Sequence, residues 1–175
     1  MRDTGVIYGN SLHSLAAEEG IDALIKAELE AVEEARKENP DFFSMLDAPQ
    51  LPAEEKLRIA GEVFDGCHPY VANTIRLLIE RRSLAAFGYL VKAYEKAYNK
   101  AHNIAVVTAV TAVPLDEKAE AELTGKLKKQ LGKEIVLNKK LDPSVLGGVV
   151  LRTDGLQIDG TVRGRLEEIK KEIVR

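Results

Sequence analysis

Tryptophan is absent from this 175-residue chain, aromatic residues make up only 5% of it, and Cys67 is its one cysteine. A lone thiol excludes a disulfide within the chain and suits a reducing compartment, so cytosolic exposure is the expectation. No run approaches the ~18 consecutive apolar residues that a spanning helix needs. The segment from Met1 to Gly9 carries neither a basic region nor an apolar signal stretch. The chain is therefore expected neither to cross a membrane nor to be exported. Charge of one sign never accumulates either: the formal net charge is −3 and no five like charges adjoin. A field strong enough to hold a phosphate backbone is missing, and nucleic acid is not an expected partner.

What is abundant is aliphatic and charged: 45% hydrophobic residues beside 30% Asp, Glu, Lys and Arg. That balance favours helices packed through aliphatic side chains. From Tyr8 to about Asn103 apolar residues recur at spacings of three and four, and six helices can be counted. The first carries Tyr8, Leu12 and Leu15 on one stripe and ends near Gly20. The second carries Ile21, Ile25, Leu29 and Val32, and Asn39-Pro40 stops it because proline restricts its predecessor and donates nothing to the helix. A short helical turn around Phe42, Phe43 and Leu46 follows. The fourth helix places Leu57, Ala60, Val63 and Phe64 on one side, with Glu54 and Glu55 suiting its N-terminal dipole. The fifth runs from Pro69 through Val71, Ile75, Leu78 and Ile79. Ser83 is the expected cap of the sixth, which carries Leu84, Phe87, Val91, Tyr94 and Tyr98.

Composition changes at Ala105–Val113, a β-branched run that reads as a strand and opens a second domain. Pro114 breaks it, Asp116 caps a helix bearing Ala119, Leu123, Leu127 and Leu131, and Gly132 closes that helix. Ile135 to Leu141 reads as a further strand. Val149–Thr153 and Leu156–Ile158 flank Asp154-Gly155, a hairpin turn that sets Leu151 opposite Ile158. A last helix with Val162, Leu166, Ile169 and Ile173 on one seam must dock either on its own small sheet or on a partner. The expected fold is thus α+β: a six-helix bundle over residues 1–103, then a small α/β domain over 104–175. The halves differ in charge: 12 basic and 17 acidic residues (net −5) in 1–103, against 13 and 11 (net +2) in 104–175.

Catalytic groups do not assemble in the sequence. His13, His68 and His102 lie far apart, and Cys67-His68 lacks the further ligands a zinc site requires, so no metal is expected. Cys67 reads as a thiol at a helix end and His68 as a solvent-accessible imidazole. Gly147-Gly148 is followed by no Lys-Ser or Lys-Thr and opens no helix, so it reads as a conformational element rather than a phosphate cradle. Arg76, Arg81 and Arg82 suit the C-terminal end of a helix, solvated or docking an acidic segment. Glu33-Glu34 and Glu54-Glu55 read as exposed helix surface. No cofactor is expected.

The run Asp142-Pro143-Ser144-Val145-Leu146-Gly147-Gly148-Val149-Val150-Leu151, followed by Asp159-Gly160-Thr161-Val162-Arg163-Gly164-Arg165-Leu166, resembles the carboxyl-terminal signature of the ATP synthase delta subunit family, also called oligomycin-sensitivity-conferring proteins. Val107-Thr108-Ala109 to Pro114-Leu115 resembles that family's strand, proline and leucine. Near the start Tyr8-Gly9-Asn10-Ser11-Leu12 keeps the family's tyrosine and leucine but replaces its alanines, and Gly9 costs a helix about 1 kcal/mol relative to alanine. The resemblance implies a non-catalytic stator subunit on the cytoplasmic face of a bacterial cell membrane. Its helical domain would hold the amino-terminal segments of the alpha subunits, and its second domain would meet the peripheral-stalk b subunits. It implies a groove for an alpha-subunit helix lined by Tyr8, Leu12, Leu15, Ile75, Leu78 and Ile79, although the same stripes suit the bundle's own core. Composition and periodicity alone also fit a free-standing two-domain adaptor unrelated to energy coupling. An enzyme fits less well, for want of a nucleophile with a base.

Overall fold

The computed structural model describes residues 2–145, 148–153 and 156–159. Among these, seven α-helices and a four-stranded sheet make an α+β protein. The Asp154-Gly155 turn and the seam of Val162, Leu166, Ile169 and Ile173 lie outside the described residues. The chain divides into two compact units, Met1–Tyr98 and Asn99–Arg175, a few residues before the composition change.

The first unit is built from α1 (Arg2–Glu18), α2 (Asp22–Glu38), α3 (Pro40–Asp47), α4 (Ala53–Val63), α5 (Pro69–Glu80) and α6 (Phe87–Ala101). Prolines open α3 and α5 at their first turns, where a missing N–H costs nothing. The core joins Leu12, Ile25, Leu29, Leu46, Phe87 and Tyr94, with further aliphatic residues around them. Tyr94 satisfies its buried hydroxyl by donating to the Asp22 carbonyl at 2.9 Å. Burial drives its phenol well above the ordinary tyrosine range.

Three local expectations change. α1 begins at Arg2 rather than Tyr8, because Gly5 and Gly9 present a bare strip against α6. A Cβ on Gly5 would lie 2.8 Å from the Tyr89 Cβ, and one on Gly9 would lie 2.8 Å from the Ala93 Cβ. Val63 faces solvent, since Leu57, Ala60 and Phe64 already fill the inward arc of α4. Ser83 caps nothing: its hydroxyl returns to the Leu78 carbonyl, and α6 is entered through a 3-10 turn at Leu84–Ala86. Arg82 takes the left-handed conformation (φ +50°), and the Ser83 amide closes back on the Leu78 carbonyl at 2.9 Å. Such helix endings usually use glycine, so an arginine at this position does not mark one.

In the second unit β1 (Ile104–Thr111) runs parallel to β2 (Glu134–Leu141) through α7 (Glu117–Leu131), a βαβ unit. Asp116 caps α7, accepting from the Ala119 amide at 2.7 Å, and Gly132 ends it at φ +63°. β3 (Val149–Thr153) and β4 (Leu156–Asp159) form an antiparallel pair with Leu151 opposite Ile158, in the register a two-residue turn dictates. The sheet order is β2-β1-β3-β4.

Candidate partner-docking site

α1 and α5 both pack against α2 and against the 3-10 turn. The Tyr70 hydroxyl at the head of α5 donates to Glu19, just past the end of α1. That hydrogen bond, with burial second, raises the phenol's hold on its proton. Helical spacing then sorts the side chains. Val71, Ile75, Leu78 and Ile79 lie on one arc of α5 and are buried, while Tyr70, Thr74 and Leu77 are only partly covered. On α1, Leu12 is buried, Tyr8 is half-buried and Leu15 is 49% exposed.

This corrects the lining read from sequence. Leu12, Ile75, Leu78 and Ile79 belong to the core of the helical unit, with Leu78 wholly excluded from solvent. Their stripes are inward arcs of amphipathic helices, and periodicity cannot distinguish an inward arc from a groove wall. Tyr8 and Leu15 remain at the surface. Leu15 lies one turn before Glu19, and Thr74 and Leu77 lie one and two turns beyond Tyr70. Tyr8 and Leu15 of α1, and Thr74 and Leu77 of α5, are thus the partly covered or exposed residues nearest in helical spacing to the Glu19–Tyr70 hydrogen bond. Thr74 and Leu77 are not singled out by the sequence reading; the i, i+4, i+7 spacing from Tyr70 places them on its side of α5.

At the other candidate positions the chemistry is structural. The His68 imidazole is half-buried, not open: its Nδ1 accepts from the Tyr70 amide at 3.3 Å and caps α5, while its own amide donates to Glu28 at 2.7 Å. Burial first, then Glu28, pushes the Cys67 thiol up, away from the reactive thiolate. A pocket of 190 Å³ lined by Phe64, Asp65, Cys67, Pro69 and Arg76 falls below the roughly 300–1,000 Å³ of small-molecule sites. Glu33 is not free surface: Arg36 grips it through two hydrogen bonds, at 2.7 and 2.8 Å, and so holds its carboxyl below the usual range. Glu34, Glu54, Glu55, Arg76, Arg81 and Arg82 are exposed. Among the described residues no group of three metal-ligating side chains forms, and no helix is long and apolar enough to cross a membrane.

The described start of the carboxyl-terminal signature, Asp142 to Val145, is a turn. The Asp142 carboxylate accepts from the Ser144 hydroxyl at 2.6 Å and its amide at 3.0 Å, and these bonds, the hydroxyl's first, lower its pKa. The Asp142 amide donates to the Thr111 carbonyl at 2.9 Å, tying the end of β2 to β1, and Pro143 follows within the turn. Gly148 has φ +86°, a backbone angle that explains its residue type. Asp159 ends β4, its backbone opposite Val150. Gly147 and Leu166 lie outside the described residues.

Comparison with known proteins agrees along the whole length. The family model described as "ATP synthase delta (OSCP) subunit" matches residues 6–173. ATP synthase subunit delta of Lysinibacillus sphaericus is 29% identical over 95% of this chain and 94% of its own. The subunit delta of a Geobacillus species is 31% identical over 95% of this chain and 94% of its own. A chain of the Toxoplasma gondii mitochondrial ATP synthase hexamer superposes with a TM-score of 0.76 over 98% of this chain and 97% of that one, at 20% identity, a likeness of fold. The free-standing adaptor gives way to these matches, and the chain belongs to the ATP synthase delta (OSCP) subunit family, as a non-catalytic stator subunit of the F-type ATP synthase.

Proposed function

We propose that the helical unit, acting as a six-helix bundle, holds amino-terminal segments of the alpha subunits, and that the second unit meets the b subunits. The chain would then tie the catalytic head to the peripheral stalk on the cytoplasmic face of a bacterial membrane. Ion flow drives a rotor, and the head turns with it unless a stator resists the torque; such a tie needs two attachments and no active site. The observation that supports this reading best is the arrangement of α1 and α5, which pack on the same α2 and 3-10 turn, are linked by the Tyr70–Glu19 hydrogen bond, and leave Tyr8, Leu15 and Leu77 partly uncovered along the proposed seam. An amphipathic helix laid into such a seam binds through a few apolar anchors.

Leu15→Glu and Leu77→Glu test the site, with a synthetic peptide of the alpha-subunit amino terminus titrated by calorimetry beside a melting curve. Each variant is expected to keep its fold and to lose at least about tenfold in affinity. Unchanged affinity in both folded variants would remove the seam from the proposal. Leu78→Asp is expected to abolish cooperative melting, because it places an unpaired charge in the core.

A further inference from the structure

Helix N-caps are ordinarily built from Ser, Thr, Asp or Asn, none of which changes charge near neutral pH. α5 is capped by an imidazole instead. Pro69 opens the helix without an N–H, and the His68 carbonyl accepts from the Val71 and Ala72 amides at 2.9 and 3.1 Å. The Tyr70 amide is thus the one first-turn donor left to a side chain, and the His68 Nδ1 accepts from it at 3.3 Å. Such a bond needs the lone pair of a neutral ring that carries its proton on Nε2. The same ring meets the Tyr70 ring edge-on, with 5.2 Å between centroids, and the Tyr70 hydroxyl donates to Glu19 just beyond α1. His68, Tyr70 and Glu19 therefore form a continuous line from the cap of α5 to the end of α1.

We propose that this line is a proton-sensitive latch: a proton taken up at His68 Nδ1 removes the cap from the Tyr70 amide, frees the head of α5 and releases Tyr70 from Glu19. Histidine is the side chain that ordinarily changes charge between about pH 5 and 8. With a proton on Nδ1 two donors face each other, and the ring becomes a cation at the positive end of a helix dipole. The charged and titratable groups around the ring are Glu28 of α2, whose carboxylate accepts from the His68 amide at 2.7 Å, Glu18 and Glu19 at the end of α1, Tyr70 itself, and Asp65, Cys67 and Arg76, which line the pocket beside Pro69. Carboxylates predominate among them. An imidazolium released from the Tyr70 amide has anionic acceptors to turn towards, which keeps the cap from re-forming. The latch belongs to the chain itself and operates with or without a partner on α1 and α5.

The test is amide hydrogen exchange by NMR on the full chain between about pH 8 and about pH 5, expressed as protection factors so that the intrinsic pH dependence of exchange is removed. In the parent the Tyr70 amide is expected to lose protection about fivefold as pH falls, the usual worth of an N-cap. The Glu19 amide, bonded to the Leu15 carbonyl at 3.3 Å, is expected to lose protection with it. His68→Asn keeps a cap that does not titrate and is expected to abolish both changes, while His13 and His102 stay in place as controls for the other histidines. His68→Ser, also a cap, takes its place should the asparagine variant not fold. Tyr70→Phe cuts the line beyond the cap: the amide at position 70 is expected still to respond to pH, and that of Glu19 no longer to do so. Steady protection at Tyr70 in the parent, or an equal fall in the folded cap variant, overturns the proton-sensitive cap. A fall at Tyr70 with Glu19 steady reduces the effect to a fraying helix end and overturns the latch.

Discussion

Gly9 sits where two requirements oppose each other. Helix propensity alone favours alanine there by about 1 kcal/mol. The added methyl would meet the Leu90 carbonyl oxygen and the Ala93 Cβ across the α1–α6 contact. Because one obstacle is backbone, relief requires the helices to part, and overpacking of this kind costs about 1–3 kcal/mol. Gly9→Ala is therefore expected to lower the urea midpoint, and a raised midpoint would show that α6 yields easily. Glu95 on α6 gives a pH signature. Burial first, then Glu30 on α2, raises its pKa, against the pull of Lys26 and Lys37 on α2 and Lys92 on its own helix. A group whose pKa is raised on folding contributes stability below its unfolded pKa and loses that contribution as pH rises through the folded value. Glu95→Gln is thus expected to melt higher than the parent at neutral pH, with the advantage vanishing below the ordinary carboxylate range. A constant difference across that range in paired thermal scans would refute the assignment.

Elements differ in how much of their boundary is local. α7 is bounded by chemistry within a few residues of its ends, an Asp116 carboxylate on the Ala119 amide and a left-handed Gly132, and both were legible. Asp116→Ala is expected to cost about 1 kcal/mol and Asp116→Asn much less, measured by chemical denaturation of the whole chain. The β3–β4 register was legible too, because turn length alone sets which residues face each other. α1 and the entry to α6 were not. The start of α1 depends on a glycine strip that matters only once α6 lies against it, and α5 ends on Arg82 in a conformation that arginine does not advertise.

For the molecule as a whole, the two units raise the question of independence. The helical unit has its own aliphatic core, whereas the second, at 77 residues, is near the size where a single core is marginal. A fragment of residues 1–103 is expected to melt cooperatively by circular dichroism, and one of residues 104–175 at lower temperature. An unfolded amino-terminal fragment beside a stable carboxyl-terminal one would reverse that ranking. The opposite charge balance of the two halves, −5 and +2, fits the proposed attachments to unlike partners.

By itself the sequence determined the helical half, the change to β structure near Ala105, the capped α7, the hairpin pairing and the family, because each rests on neighbours in the chain or on a contiguous motif. Tertiary structure alone decided that Leu12, Ile75, Leu78 and Ile79 are core while Leu15, Val106 and Val136 are surface. The physical reason is that periodicity fixes the angle at which a side chain leaves its helix or strand. What stands opposite that side chain is fixed by another element, often dozens of residues away, as α6 stands opposite Gly5 and Gly9.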